Sequence, residues 1–131
     1  MFLDASAIVA IIAMEADEPE LSGKLDKASP RLVSPLSIYE ATLGLARIAR
    51  GDLNGARRSV ADFTDSVGAV TVEIDRHIAE DAIDAFTRFG KGRHRAQLNM
   101  GDCFSYACAK AHRVPLLFKG DDFIHTDIGI A

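Results

Sequence analysis

Short apolar runs alternate with longer stretches in which hydrophobic residues return every three or four positions. Met1 to Leu3 is an apolar entry that stops at Asp4 and predicts a buried first strand. Ala5 to about Met14 continues as an Ala-rich helix, and Pro19 to Ala28 as a second, polar one. Arg31 to Ser34, between Pro30 and Pro35, predicts a short strand. Leu36 to Ala49 and Leu53 to Val67 predict two long helices, stopped by Gly51 and Gly68. The β-branched run Ala69 to Ile74 predicts a strand, and Asp75 an N-cap for a helix reaching Phe89. Gly90 to Arg95 predicts a loop, Gly101 to Arg113 a helix and Pro115 to Phe118 a buried strand. Gly120-Asp121-Asp122 turns out of that strand, and Thr126 to Ile128 is expected to add a short edge strand.

Strands that alternate with helices predict an α/β fold, a short central parallel sheet with helices on both faces. No linker or repeat divides the chain, so one domain spanning 1–131 is expected. In sheets of this kind ligands bind in the crevice beyond the carboxyl ends of the strands. Asp4 and the Asp121/Asp122 pair each follow a strand directly, which points them into one crevice.

Composition narrows the classes. Hydrophobic residues make up 48% and charged residues 26% of the chain, the balance of an ordinary globule. The longest apolar stretch, Ala5 to Met14, is too short for a membrane span and lacks the flanks of a secretory signal, so a cytoplasmic protein is expected. Cys103 and Cys108 lie five apart in one predicted helix and diverge by about 140°. They read as buried thiols in a reducing compartment. The net charge of −4 means that any contact with nucleic acid needs a local basic patch, or cations that offset local carboxylates.

Candidate chemistry lies in five acids: Asp4, Glu40, Asp102, Asp121 and Asp122. Each has a structural alternative. Asp4 is a possible N-cap helped by Ser6, and Asp102 a possible capping-box partner of Asn99. Glu40, Arg47 and Arg50 share one strip of an otherwise apolar helix, which faces either solvent or a cleft. Gly-Asp-Asp is an ordinary turn sequence. Taken together the acids suit Mg²⁺ or Mn²⁺, hard cations that take oxygen ligands, and paired ions need several carboxylates from different elements. No pair of histidines suggests zinc, and no glycine-rich phosphate loop or nucleophile elbow is present. The basic cluster Lys91, Arg93, His94 and Arg95, with Arg47 and Arg50, is the candidate grip on phosphates.

These residues resemble a known family. The opening MFLDASA, the segment KGRHRAQLNMGDCFSYA from Lys91 to Ala107 and the segment PLLFKGDDFIHTDI from Pro115 to Ile128 are similar to PIN-domain toxins of the VapC type. The resemblance implies a metal-dependent endoribonuclease that uses Mg²⁺ or Mn²⁺, restrained by a VapB-type antitoxin and forming homodimers and hetero-oligomers with it. It implies Asp4, Glu40 and Asp102 as the core acidic set, with Ser6 in support of Asp4. The family's common pattern carries an acid at the place of Gly120 and another at Asp122. This chain has Asp121-Asp122 instead, and the sequence alone ranks Asp121 slightly ahead. Competing readings are another Mg²⁺-dependent phosphoesterase, a DNA nuclease, or a non-catalytic PIN-like interaction module. A dehalogenase-type phosphatase would need Asp-x-Asp, where Asp4-Ala5-Ser6 stands.

Overall fold

The computed structural model describes residues 1–131. Four strands, β1 (Phe2–Leu3), β2 (Leu32–Val33), β3 (Val70–Thr71) and β4 (Leu116–Leu117), form one parallel sheet in the order β3-β2-β1-β4. Six helices connect them: α1 (Ala5–Ile12), α2 (Glu18–Asp26), α3 (Pro35–Ile48), α4 (Leu53–Ser66), α5 (Arg76–Phe89) and α6 (Met100–Ala111). The expected α/β class, the parallel sheet and the order of the elements are all present.

Each strand is two residues long, and that length divides the core. Successive strand residues point to opposite faces of a sheet. Phe2, Leu32 and Leu116 therefore join one cluster with α5 and α6 residues such as Ala85 and Ala107. Their neighbours Leu3, Val33 and Leu117 join the other, with residues of α1, α3 and α4 such as Ile8, Ala41 and Val60. Phe2, Leu3, Val33 and Leu116 are fully buried, so a two-residue strand suffices to seal both layers.

The C-terminal segment departs from expectation. No strand forms over Thr126–Ile128; Phe123–His125 is a 3₁₀ turn, and a single parallel bridge joins Leu116 to Ile130. The Thr126 hydroxyl donates to the Phe123 carbonyl and accepts the Ile128 amide, using groups that a ladder would need. Asp127 is drawn away to Tyr106, Arg88 and Lys110. Cys103 and Cys108 are buried and free, and burial pushes both thiols up to about 11. No helix is long and apolar enough to cross a membrane.

Candidate active site

Asp4 stands where β1 ends and α1 begins. It is buried, 4% exposed, and caps α1: Oδ2 accepts the Ser6 amide at 2.9 Å and the Ser6 hydroxyl at 2.6 Å. Its Oδ1 accepts the hydroxyl of Ser105, on α6, at 2.7 Å. Ser6 Oγ in turn accepts the Lys119 amide at 3.0 Å, which ties the chain leaving β4 to the start of α1.

Glu40 comes from α3. That helix starts immediately after β2, capped by the buried Ser34, whose side chain accepts the Ser37 amide. Glu40 lies just beyond its first turn, half-buried, with its carboxylate over Gly101 of α6. Its pKa is raised, first by burial and then by the charge of Asp4.

Asp102 belongs to a complete capping box. Asn99 Oδ1 accepts the Asp102 amide at 2.9 Å, and Asp102 Oδ2 accepts the Asn99 amide at 2.9 Å. Burial pushes its carboxyl up to about 7; the Asn99 amide works against this, while the charges of Asp4, Asp122 and Glu40 add to it.

The two C-terminal acids part company. Gly120 has φ +99°, a backbone conformation that side chains other than glycine's rarely adopt. An acid at that position, as in the family's common pattern, would be strained. The bend lets Phe123 bury itself against Phe118, with ring centroids 4.9 Å apart. Asp122, next to that anchor, is one of the charges acting on Asp102. Asp121 instead lines a cleft of about 420 Å³ with Asp17, Glu20 and Lys24.

Asp4, Glu40, Asp102 and Asp122 are thus electrostatic neighbours brought together from four connections of the fold. None of them takes part in an ion pair. As the side chains stand, no three carboxylates are close enough to enclose an ion. The donor set is nonetheless oxygen only, carries uncompensated negative charge and leaves Asp102 Oδ1 without a hydrogen bond, which fits a hard divalent cation rather than zinc.

The residues expected to bind substrate are dispersed. Arg47 is exposed on α3, two turns beyond Glu40 on the same side of the helix. In the loop after α5, Arg93 lies over the Phe86 ring at 5.5 Å, and Arg95 is exposed. His94 packs edge-on against Phe89 and accepts the Ala96 amide at Nδ1, so it shapes the loop. None of these four residues forms a hydrogen bond or ion pair with the four acids. Lys119 does stand at the site: an opening of about 370 Å³ is lined by Ser6, Glu15, Glu40, Gly44 and Lys119, and its ammonium pairs with Glu15 and Asp17.

Comparison with known proteins places the chain in a family. The PIN domain family matches residues 1–129. A VapC ribonuclease of Rhizobium meliloti is 42% identical over 140 residues, covering 98% of this chain and 99% of the relative. Ribonuclease VapC30 of Mycobacterium tuberculosis is 42% identical over 129 residues, covering 98% and 95%. The chain belongs to the PIN-domain family, among the VapC ribonucleases. A crystal structure of Mycobacterium tuberculosis VapC20, described as a sarcin-ricin loop cleaving toxin, superposes with a TM-score of 0.76 over 99% of this chain and 97% of that one, at 17% identity. At that identity the likeness speaks for the fold.

Within this PIN domain, sequence reasoning passed over Ser105, Gly101 and Lys119. Ser105 follows Asp102 by three residues, so the two share a face of α6, and a hydroxyl in an otherwise apolar, buried helix was the available signal. Gly101 and Lys119 gave none, because their importance lies in what another element brings to them.

Proposed function

We propose that this PIN domain is a metal-dependent endoribonuclease, the toxin of a VapBC-type toxin–antitoxin pair, with Asp4, Glu40, Asp102 and Asp122 as its working acids. The observation that carries the reading is the gathering of these carboxylates at the carboxyl end of the sheet with no cationic partner. Sites of this sign do not attract RNA, which is itself an anion; they need divalent cations to do so. Asp122 is preferred to Asp121 because it acts on Asp102 while Asp121 faces another cleft.

Mg²⁺ or Mn²⁺, when bound, would neutralise a phosphate's charge and lower the pKa of a water. Asp4 and Asp102 are the residues to hold it, since each spends Oδ2 on a helix cap and turns Oδ1 elsewhere. Glu40 and Asp122 flank them and orient water or a second ion. The raised pKa of Glu40 suits it to take up a proton as water attacks the phosphorus. Lys119 lines the opening beside Glu40, and Arg47 is exposed two turns farther along α3; on this reading both would supply contacts to phosphate that fix the register of a bound strand, with Arg93 and Arg95 extending them. A VapB-type antitoxin and a second copy of the chain are the expected partners, and the cytoplasm the expected compartment.

The purified chain is to be incubated with single-stranded RNA, single-stranded DNA and a phosphomonoester, with Mn²⁺ or with EDTA. Metal-dependent cutting of RNA alone supports the reading. Equal cutting of DNA, hydrolysis of the monoester, or RNA cleavage that persists in EDTA would overturn it.

A further inference from the structure

The three hydrogen bonds received by Asp4 are unevenly shared between its two oxygens. Oδ2 accepts two, both from Ser6, and Oδ1 accepts one, from Ser105. Each oxygen of a carboxylate offers about two lone-pair positions. Oδ2 is therefore filled by the cap of α1, and Oδ1 keeps a single free position.

Ser105 is 2% exposed and 101 residues from Asp4 in sequence. A hydroxyl inside a helix commonly donates back to the carbonyl four residues earlier. Thr42, Thr64 and Thr87 all do so here, to Ile38, Val60 and Ile83. Ser105 does not; its only proton goes across to the Asp4 carboxylate. Serine is also a poorer helix former than alanine, so α6 itself gains nothing from a hydroxyl at this position. Both partners are buried, which strengthens a hydrogen bond by excluding competing solvent.

We propose that Ser105 is a positioning residue of the metal site: its hydroxyl fixes the Asp4 carboxylate so that Oδ2 stays on the helix cap and the one free position of Oδ1 is offered to a divalent cation. Asp4 is then a ligand through a single oxygen. Ser105 touches neither the cation nor the RNA and acts only through Asp4. Because it sits on α6 beside Asp102, it also fixes the separation between the first and third acids. The inference rests on the metal reading above and deepens it.

Removal of a group that orients a metal ligand typically weakens metal binding about 10- to 100-fold. Free Mn²⁺ is to be titrated by electron paramagnetic resonance into the full chain and into Ser105→Ala, Ser105→Cys and Asp4→Asn. The melting temperature in EDTA is measured beside it. Cysteine keeps nearly the volume of serine with a weak donor, and it decides the matter if the alanine variant does not fold. Weakening of Mn²⁺ binding by about 10-fold or more in both Ser105 variants supports the proposal, as does cleavage that recovers when Mn²⁺ is raised. Wild-type Mn²⁺ affinity in Ser105→Ala or Ser105→Cys, with only a lowered melting temperature, would show a purely structural hydroxyl and overturn it. Asp4→Asn separates the two levels: if it too binds Mn²⁺ as the wild type does, or if the wild type binds none, the metal reading itself falls.

Discussion

The carboxylate of Glu40 rests directly over the α-carbon of Gly101: a Cβ built there would stand 2.2 Å from both Oε1 and Oε2. The absence of a side chain in the first turn of α6 is what lets an acid from α3 reach the acids of β1 and α6. Gly101→Ala should therefore separate stability from activity. Alanine is a better helix residue than glycine by about 1 kcal/mol, and the atoms it meets are the mobile end of a side chain. The melting temperature should hold or rise, while cleavage falls by about 10-fold or more as Glu40 is displaced. Unchanged turnover in a folded Gly101→Ala protein would remove Glu40 from the working set.

Burial of Asp102, with the neighbouring acids adding to it, sets a pH dependence. Asp102 titrates at about 7 in the folded, metal-free protein, well above its ordinary value of 3.8. A carboxyl whose folded pKa is raised contributes stability that is complete below the unfolded value and lost as pH rises through the folded one. In EDTA the wild type should thus lose stability relative to Asp102→Asn between about pH 4 and pH 8. Mn²⁺ should oppose that loss, since it binds the ionised form. Thermal melts of both proteins across this range, with and without Mn²⁺, test the sign. A gap between them that does not change with pH would mean that neither burial nor the neighbouring acids raise the Asp102 carboxyl.

The fourth acid is a choice between neighbours. Asp122→Asn should lower cleavage by about 10- to 100-fold, whereas Asp121→Asn should leave it near the wild-type rate. Single-turnover cleavage of one RNA by the two variants makes the comparison. A reversal would restore the order suggested by the bare sequence and require the Gly120 bend to open on binding.

The layered α/β fold was legible because each of its signals is local. Short apolar or β-branched runs, helix caps at Asp75 and Asn99, and glycine stops at Gly51 and Gly68 each speak for their own segment, although each strand is shorter than the run that announced it. The acids were legible one at a time, but as alternatives: Asp4 and Asp102 read as either caps or site residues. The two readings are compatible, because a carboxylate has two oxygens and each residue caps its helix with Oδ2 alone. Ser105, Gly101 and the preference for Asp122 could not be read from the chain, since each depends on contacts with residues far away in sequence. The strand expected at Thr126–Ile128 failed for a similar reason. Its β-branched pattern is real, but a side-chain hydroxyl and an ion cluster compete for the same segment.

That ion cluster yields a prediction remote from the acids. Asp127 accepts the Tyr106 hydroxyl at 2.5 Å, and Arg88 and Lys110 pair with its other oxygen at 3.0 and 3.3 Å. The Tyr106 bond first, then those to Arg88 and Lys110, hold its carboxyl far below the usual range. A depressed folded pKa contributes stability above the unfolded value, and that stability disappears as pH falls through the folded one. Asp127→Asn should therefore lower the melting temperature at pH 7, and its deficit should shrink below about pH 4 as the wild-type carboxylate begins to protonate on unfolding. Asp127 is half-exposed, so solvent screens much of the ion-pair contribution. Most of the effect should instead follow the Tyr106 hydroxyl, and Tyr106→Phe should cost about 0.5–1.5 kcal/mol by itself. Since the clasp ties the C-terminal segment to α5 and α6 away from the acids, RNA cleavage by either variant below its melting point should stay near wild type. A Tyr106→Phe protein as stable as the wild type would show that the clasp holds nothing, and that Phe118 and Phe123 anchor the segment alone.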